Sequence, residues 1–361
     1  MSSWTAAHVA AIAPDAPTAP MIGAHHVCPG ADNLDIWDAW PVQQRDGTPI
    51  ALADGAQLWM ALAAPHFPDP DERHGHARIH LFHFLGDRWS HVGAAMPDGF
   101  SPGSREWSGS AIWDEASGDI ILYFTAAGRK GEAAPSFEQR MFSARARVTE
   151  AGGLTDWHDL REIVTIDPVH YMSTREGGGI GTIKAFRDPA YFRDPADGRH
   201  YLFFAASQAG SASAYNGVVG MACADPATPD DWVIAPPLLS ADGLNNELER
   251  PHMVVHQGNY YLFWSTQRHV FNPDGPTGPT GLYAMVAPAM SGPWRPVNGG
   301  GLLFANPADA PAQSYSWMVL PELSVTSFID NWDGGEARRF GGTFAPFLRL
   351  WLDGDRGGVA A

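Results

Sequence analysis

HQGNYYLFWST, residues 256–266, sets a turn against a strand. Gln257-Gly258-Asn259 is turn chemistry, and the run behind it is aromatic and apolar with no helical period. The same unit recurs as ADGAQLWMALA (53–63), ASGDIILYFTA (116–126) and DGRHYLFFAAS (197–207). Its glycines, Gly55, Gly118, Gly198 and Gly258, are 63, 80 and 60 residues apart. That interval exceeds a WD40 or kelch blade but suits four-stranded blades with long connections. Dividing 361 residues by it leaves about five units. The expected fold is therefore all-β: one five-bladed β-propeller over residues 1–361, with residues 1–31 as an N-terminal extension and a closing strand near RRFGGTFAPFLRLWL (338–352). A β-sandwich is the structural alternative.

Composition narrows the function. The chain is 45% hydrophobic and 17% charged, with 39 Gly, 30 Pro and 11% aromatics, a globular mixture able to bury a large core. A formal charge of −17 with no basic run disfavours nucleic acid and anionic membrane surfaces. The expected partner is small and neutral or cationic. Cys28 and Cys223 are the only cysteines and are expected as free thiols. No stretch approaches 18 apolar residues, and the N-terminus lacks the charged and apolar regions of a classical signal peptide. The expectation is a soluble protein, either cytoplasmic or exported by a route the sequence does not display.

In a propeller the innermost strands line a central funnel, so acids beside strand-like runs are candidates for one pocket. Asp38 in NLDIWDAWPVQ lies between Trp37 and Trp40, and aromatic faces beside carboxylates hold sugar rings. A surface acid at a strand end is the plainer reading. FRDPAYFRDPADG, residues 186–198, contains Arg-Asp-Pro twice. Asp194 leads into Pro195, Asp197 and Gly198, ordinary turn chemistry, whereas Asp188 ends an apolar run with Arg187 beside it. NNELERPHMV places Glu247 and Glu249 on one face if the segment is extended, which would push at least one towards its protonated form, with Arg250 on the other face. The histidines His74, His76, His80 and His83 lie close in sequence without acidic or cysteine partners in register, so a zinc site is disfavoured. REGGGIGTIK (175–184) lacks a P-loop pattern and is expected as a flexible loop on the substrate side. Ser108 and Ser110 lack the setting of a nucleophile elbow.

Together, WDAWP (37–41), EWSGSA (106–111), FRDP (186–189), ELERP (247–251), SYSWMVLP (314–321) and FGGTFAP (340–346) appear in an order that resembles glycoside hydrolase family 68, the levansucrases and related sucrose-cleaving fructosyltransferases. The resemblance runs from about residue 32 to residue 352. It implies a five-bladed propeller, with Asp38 as nucleophile, Asp188 as transition-state stabiliser and Glu249 as general acid/base. Trp37, Trp107 and Ser108 match positions that line the fructosyl subsite or touch the nucleophile, and Arg187 and Glu247 match positions that hold sugar hydroxyls. Eighteen residues after Glu249, where polymer-forming relatives carry Arg or His, stands Gln267, followed by Arg268 and His269; all three are acceptor-side candidates. Calcium-binding members carry Asp before the ELERP-type segment, and here it is Asn246, so no cofactor is expected and a structural calcium is not favoured. The implied substrates are sucrose and fructan or fructo-oligosaccharide acceptors. A predominantly hydrolytic enzyme, an arabinan hydrolase and a non-catalytic carbohydrate-binding propeller are the alternatives.

Overall fold

The computed structural model describes residues 1–174, 183–335 and 337–360. Each of the four turn glycines adopts positive φ, 85° at Gly55, 74° at Gly118, 75° at Gly198 and 77° at Gly258, a region open to glycine at no steric cost. The aromatic runs behind them are Gln57–Pro65, Asp119–Ala127, His200–Ser207 and Asn259–Thr266. Every one is the second strand of an antiparallel meander. A leading strand precedes each: Leu34–Gln43, Arg105–Asp114, Phe186–Arg193 and Glu249–His256.

A fifth meander, led by Ser314–Val319 and continued by Ser324–Asn331, escaped the glycine count. Its turn is made by Leu323 at φ 69°, whose N–H donates to the Leu320 carbonyl at 2.8 Å. A left-handed leucine costs on the order of 1–2 kcal/mol, and no sequence pattern announces it.

Hydrogen bonding groups the strands into four sheets among the described residues. The first meander continues through Arg78–Leu85 and Arg88–Ala94, the second through Gln139–Val148 and Leu154–Val164. A parallel contact, Val42 to Ala111 and Gln43 to Ile112, joins these two into one eight-stranded sheet. The third adds Gly217–Ala224 and Val233–Ser240, whose outer edge takes Ser2–Ser3 in parallel. The fourth adds Gly281–Ala287, flanked by Arg295–Pro296 and Leu302–Ala305. In the fifth, Phe340–Phe344 and Leu348–Asp353 both pair with Ser324–Asn331.

The five leading strands pack side by side in chain order, and the fifth returns against the first. Two-layer stacking, as in a sandwich, would not bring them into cyclic contact. Apolar side chains fill the space between meanders, with Trp40, Trp59, Trp264 and Trp317 fully buried. The N-terminal segment is sewn to this body. Trp4 is buried edge-on against Trp264 and Tyr283, and its Nε1 donates to the Gly300 carbonyl at 3.0 Å. Burying an indole of roughly 200 Å² at about 25 cal/mol/Å² contributes on the order of 5 kcal/mol as an upper bound. Both cysteines are free thiols.

Candidate active site

Each leading strand carries one slip in register. It falls between Trp37 and Trp40, Trp107 and Gly109, Arg187 and Ala190, Glu249 and His252, and Tyr315 and Met318. A bulge breaks the in-out alternation, so two consecutive side chains turn to the same side. In four of the five, the residue after the first named has positive φ: Asp38 at 50°, Asp188 at 63°, Arg250 at 47° and Ser316 at 62°. The consequence is a ring of dipeptides, Trp37-Asp38, Trp107-Ser108, Arg187-Asp188, Glu249-Arg250 and Tyr315-Ser316, all lining one cavity of about 470 Å³.

The bulge corrects one expectation. Strand alternation put Arg250 on the face opposite Glu249, but it lies in the same pocket, fully buried. Its Nη2 donates to the Ala39 carbonyl at 2.7 Å and its Nη1 to the Ser316 carbonyl at 3.0 Å, tying the fourth leading strand to the first and fifth. Nor is alternation what unites Glu247 and Glu249. The strand begins at Glu249, and Glu247 is placed by its own N–H, which donates to Asn245 Oδ1 at 2.8 Å.

The three carboxylates come from three strands. Ser108 Oγ donates to Asp38 Oδ2 at 2.6 Å. Asp188 is held through its backbone, whose N–H donates to Thr125 Oγ1 at 2.9 Å, while that hydroxyl donates to the Ser108 carbonyl at 3.1 Å. Arg187 Nη2 donates to Glu249 Oε1 at 2.6 Å and lies 3.7 Å from Glu247 Oε2, with its Nε 3.6 Å from Asp188 Oδ2. Its Nη1 is buried with no partner among the described residues. Tyr315 donates its hydroxyl to the other Glu249 oxygen.

Charge crowding sets the protonation states. Burial, then the Glu249 and Asp38 carboxylates, push the Asp188 carboxyl up to about 7. Burial, then Glu249, push the Glu247 carboxyl up to about 8. Burial alone would lower the Arg187 guanidinium, but Glu249, Glu247 and Asp188 reverse that and hold it cationic. Four carboxylates around two guanidinium groups cannot all ionise without strain, so a proton stays in the cluster near neutral pH.

The rim comes from the 3-10 turn Pro70–Gly75 and the fifth meander. Arg73 packs between the rings of Trp37, at 5.4 Å, and Phe340, at 4.4 Å. His74 also lines the pocket, and burial lowers it to about 4, so it is neutral there. Asp71 takes two bonds from Arg338, at 2.9 and 3.0 Å. The remaining expected histidines scatter: His76 stacks on Phe67, His80 bonds His91 at 2.9 Å, and His83 lies by the Gly152 carbonyl. No grouping of three or more His, Cys, Asp or Glu side chains suited to a metal occurs among the described residues.

On the acceptor side, Gln267 and His269 line the pocket but Arg268 does not. The 3-10 turn Arg268–Val270 advances about 120° per residue, which swings Arg268 outward. Residues 175–182 of the expected substrate-side loop lie outside the described residues; Lys184, just after them, donates from Nζ to Asn216 Oδ1 at 2.9 Å, to Asn246 Oδ1 at 2.6 Å and to the Ala214 carbonyl. Asp194 stays in its turn, accepting from the Ala196 N–H at 2.8 Å and from the Tyr260 hydroxyl at 2.6 Å. A larger cavity of about 680 Å³ opens at the other end of the leading strands. Two of its charged side chains are already engaged, Arg45 with Asp114 and Tyr191, and Asp194 with Tyr260.

Sequence reasoning missed Arg250, Tyr315 and Ser316. The signal was present in SYSWMVLP and ELERP: a large residue followed by a polar one at the head of an apolar run, as in Trp37-Asp38 and Trp107-Ser108.

The family model described as levansucrase/invertase matches residues 1–216 and 206–361. A levansucrase from Pseudomonas savastanoi pv. glycinea is 33% identical over 90% of this chain and 83% of its own, and one from Rahnella aquatilis is 33% identical over 90% and 86%. The inulosucrase of Halalkalicoccus jeotgali, solved with bound kestose, superposes with a TM-score of 0.91 at 35% identity, covering 99% of this chain and 95% of that one. The chain belongs to glycoside hydrolase family 68, the family of levansucrases and invertases.

Proposed function

We propose that this chain is a levansucrase-type fructosyltransferase that cleaves sucrose by a retaining double displacement. The observation that carries the reading is the convergence of Asp38, Asp188 and Glu249 from three leading strands on one pocket walled by Trp37 and Trp107. In the first half-reaction the Asp38 carboxylate forms a bond to the anomeric carbon of the fructosyl unit. The bond to the glucosyl oxygen breaks, and Glu249 gives that oxygen its proton. In the second half, water or an acceptor hydroxyl attacks the same carbon, its proton passes to Glu249, and Asp38 is released.

Ser108 orients the nucleophile through its 2.6 Å bond to Asp38. Glu247, pushed up to about 8, keeps a proton beside Glu249 at neutral pH. Asp188, whose carboxyl sits near 7, gains from ionising as positive charge develops on the ring, and so favours the transition state over the ground state. The Nη1 of Arg187, without a partner among the described residues, is a donor for a fructosyl hydroxyl. The five meanders are read as the blades of a five-bladed propeller, supported by the cyclic packing of their leading strands.

Gln267 lines the pocket with an uncharged amide, which grips an acceptor sugar less firmly than a guanidinium would. Hydrolysis and short fructo-oligosaccharides therefore form a sizeable share of product. The test is incubation with sucrose followed by separate assays of free glucose and free fructose. A fructose-to-glucose ratio below one that falls further at high sucrose is expected. Release of neither sugar would refute the reading.

A further inference from the structure

Three loops meet beside Glu247: the stretch entering the third leading strand at Lys184, the bend at Ala214 to Asn216, and the approach to Glu249 at Asn246. The first brings the Lys184 ammonium, and the other two present oxygens to it. Lys184 Nζ takes Asn216 Oδ1 at 2.9 Å, Asn246 Oδ1 at 2.6 Å and the Ala214 carbonyl. Three acceptors on one nitrogen require three N–H donors, which an ammonium has and a neutral amine lacks. Asn246 in turn offers its Nδ2 to Glu247 Oε1 at 3.3 Å and to the Ile183 carbonyl at 3.2 Å.

The family resemblance marks the Asn246 position as a calcium ligand in members that bind the metal. The donors here do not fit a dication. Calcium takes six to eight oxygens, several of them carboxylates, whereas among the described residues this junction supplies two amide oxygens and a carbonyl, all engaged by one positive charge. We propose that the ammonium of Lys184 is the resident cation of this junction, a covalently attached substitute for a metal, and that it acts as a positioning residue for Glu247 through Asn246. The charge that gathers the loops is thereby present at any calcium concentration. A divalent ion would have to displace an ammonium that cannot diffuse away.

The experiment is thermal unfolding of the full chain in millimolar Ca2+ or in EDTA, with sucrose turnover measured alongside. The wild type should unfold within about 1 °C of the same temperature in both, since a ligand that does not bind does not stabilise. Lys184→Met should lower Tm by about 2–4 °C and reduce turnover, because the oxygens lose charged donors. The double variant Lys184→Ala with Asn246→Asp empties the point and adds a carboxylate. It should gain a calcium-dependent rise in Tm that EDTA reverses, with partial recovery of turnover in calcium. A calcium-dependent rise in the wild type would overturn the proposal, as would a Lys184→Met protein unchanged in both Tm and turnover. A double variant indifferent to calcium would show that the three oxygens are not a cation cage, and would overturn it too. Tm is read without substrate, so failure here is separate from failure of the fructosyl-transfer reading.

Discussion

Replacing Asp188 with Asn should move stability and turnover in opposite directions. The folded protein raises this carboxyl from 3.8 to about 7, chiefly through burial. Between those two values the folded state keeps a proton that the unfolded chain has released. Stability therefore falls as pH rises through that window, and the loss is complete above it. The rise from 3.8 to about 7, at about 1.36 kcal/mol for each tenfold change in proton affinity, corresponds to roughly 4 kcal/mol. Asparagine cannot ionise and escapes this penalty, but it forgoes the attraction of Arg187 Nε at 3.6 Å. The expected net gain at pH 8 is about 1–3 kcal/mol. For a chain of 361 residues, an unfolding entropy of about 2.1 cal/mol/K per residue converts this to a Tm rise of roughly 1–4 °C. Urea unfolding at pH 5 and pH 8 should show the wild type weakening across the interval more than Asp188→Asn does. Turnover of sucrose should meanwhile drop at least about 10²-fold, the loss that follows removal of a transition-state contact. The matched control is Asp194→Asn in the other Arg-Asp-Pro. It weakens the bond from the Tyr260 hydroxyl, costing about 1 kcal/mol of stability with turnover little changed. The reasoning fails if Asp188→Asn is less stable than wild type at pH 8 with its pH dependence intact, or if the two variants lose turnover equally.

Asp38→Ala should abolish release of glucose while sucrose binding persists by calorimetry; residual turnover within about tenfold of wild type would reject it as nucleophile. Tyr315→Phe removes the hydroxyl that donates to Glu249 and should lower kcat/KM by about 10 to 10²-fold, the worth of one hydrogen bond to a charged group. An unchanged value would mean the contact does not orient the acid/base. Gln267→Arg should lower the ratio of free fructose to free glucose at fixed sucrose by strengthening the hold on acceptor sugar. No change would remove this position from acceptor choice.

The sequence carried a good deal of this on particular residues. Gly55, Gly118, Gly198 and Gly258 marked four second strands, since a turn that demands positive φ selects glycine. Asp188 was separable from Asp194 because Pro195, Asp197 and Gly198 spell a turn that the first copy lacks. Leu323 hid the fifth turn, because nothing in a leucine signals a left-handed backbone. Arg268 stays off the pocket that Gln267 and His269 line for a related reason: neighbours in sequence point about 120° apart once the chain tightens into a 3-10 turn.

What the sequence determined by itself was local: where strands start and stop, which acids sit beside strands, and the all-β character, because turn chemistry and β-propensity act over a few residues. Only the tertiary structure decided which side chains meet. The five bulges turn Asp38, Ser108, Asp188, Arg250 and Ser316 into one pocket, against the alternation their strands would otherwise follow. A bulge is a mismatch between two strands, so it belongs to the pair and cannot be read from either one. The protonation of Asp188 and Glu247 was likewise settled by distance, since burial and neighbouring charge arise only when segments some 60 to 200 residues apart close on the same few ångströms.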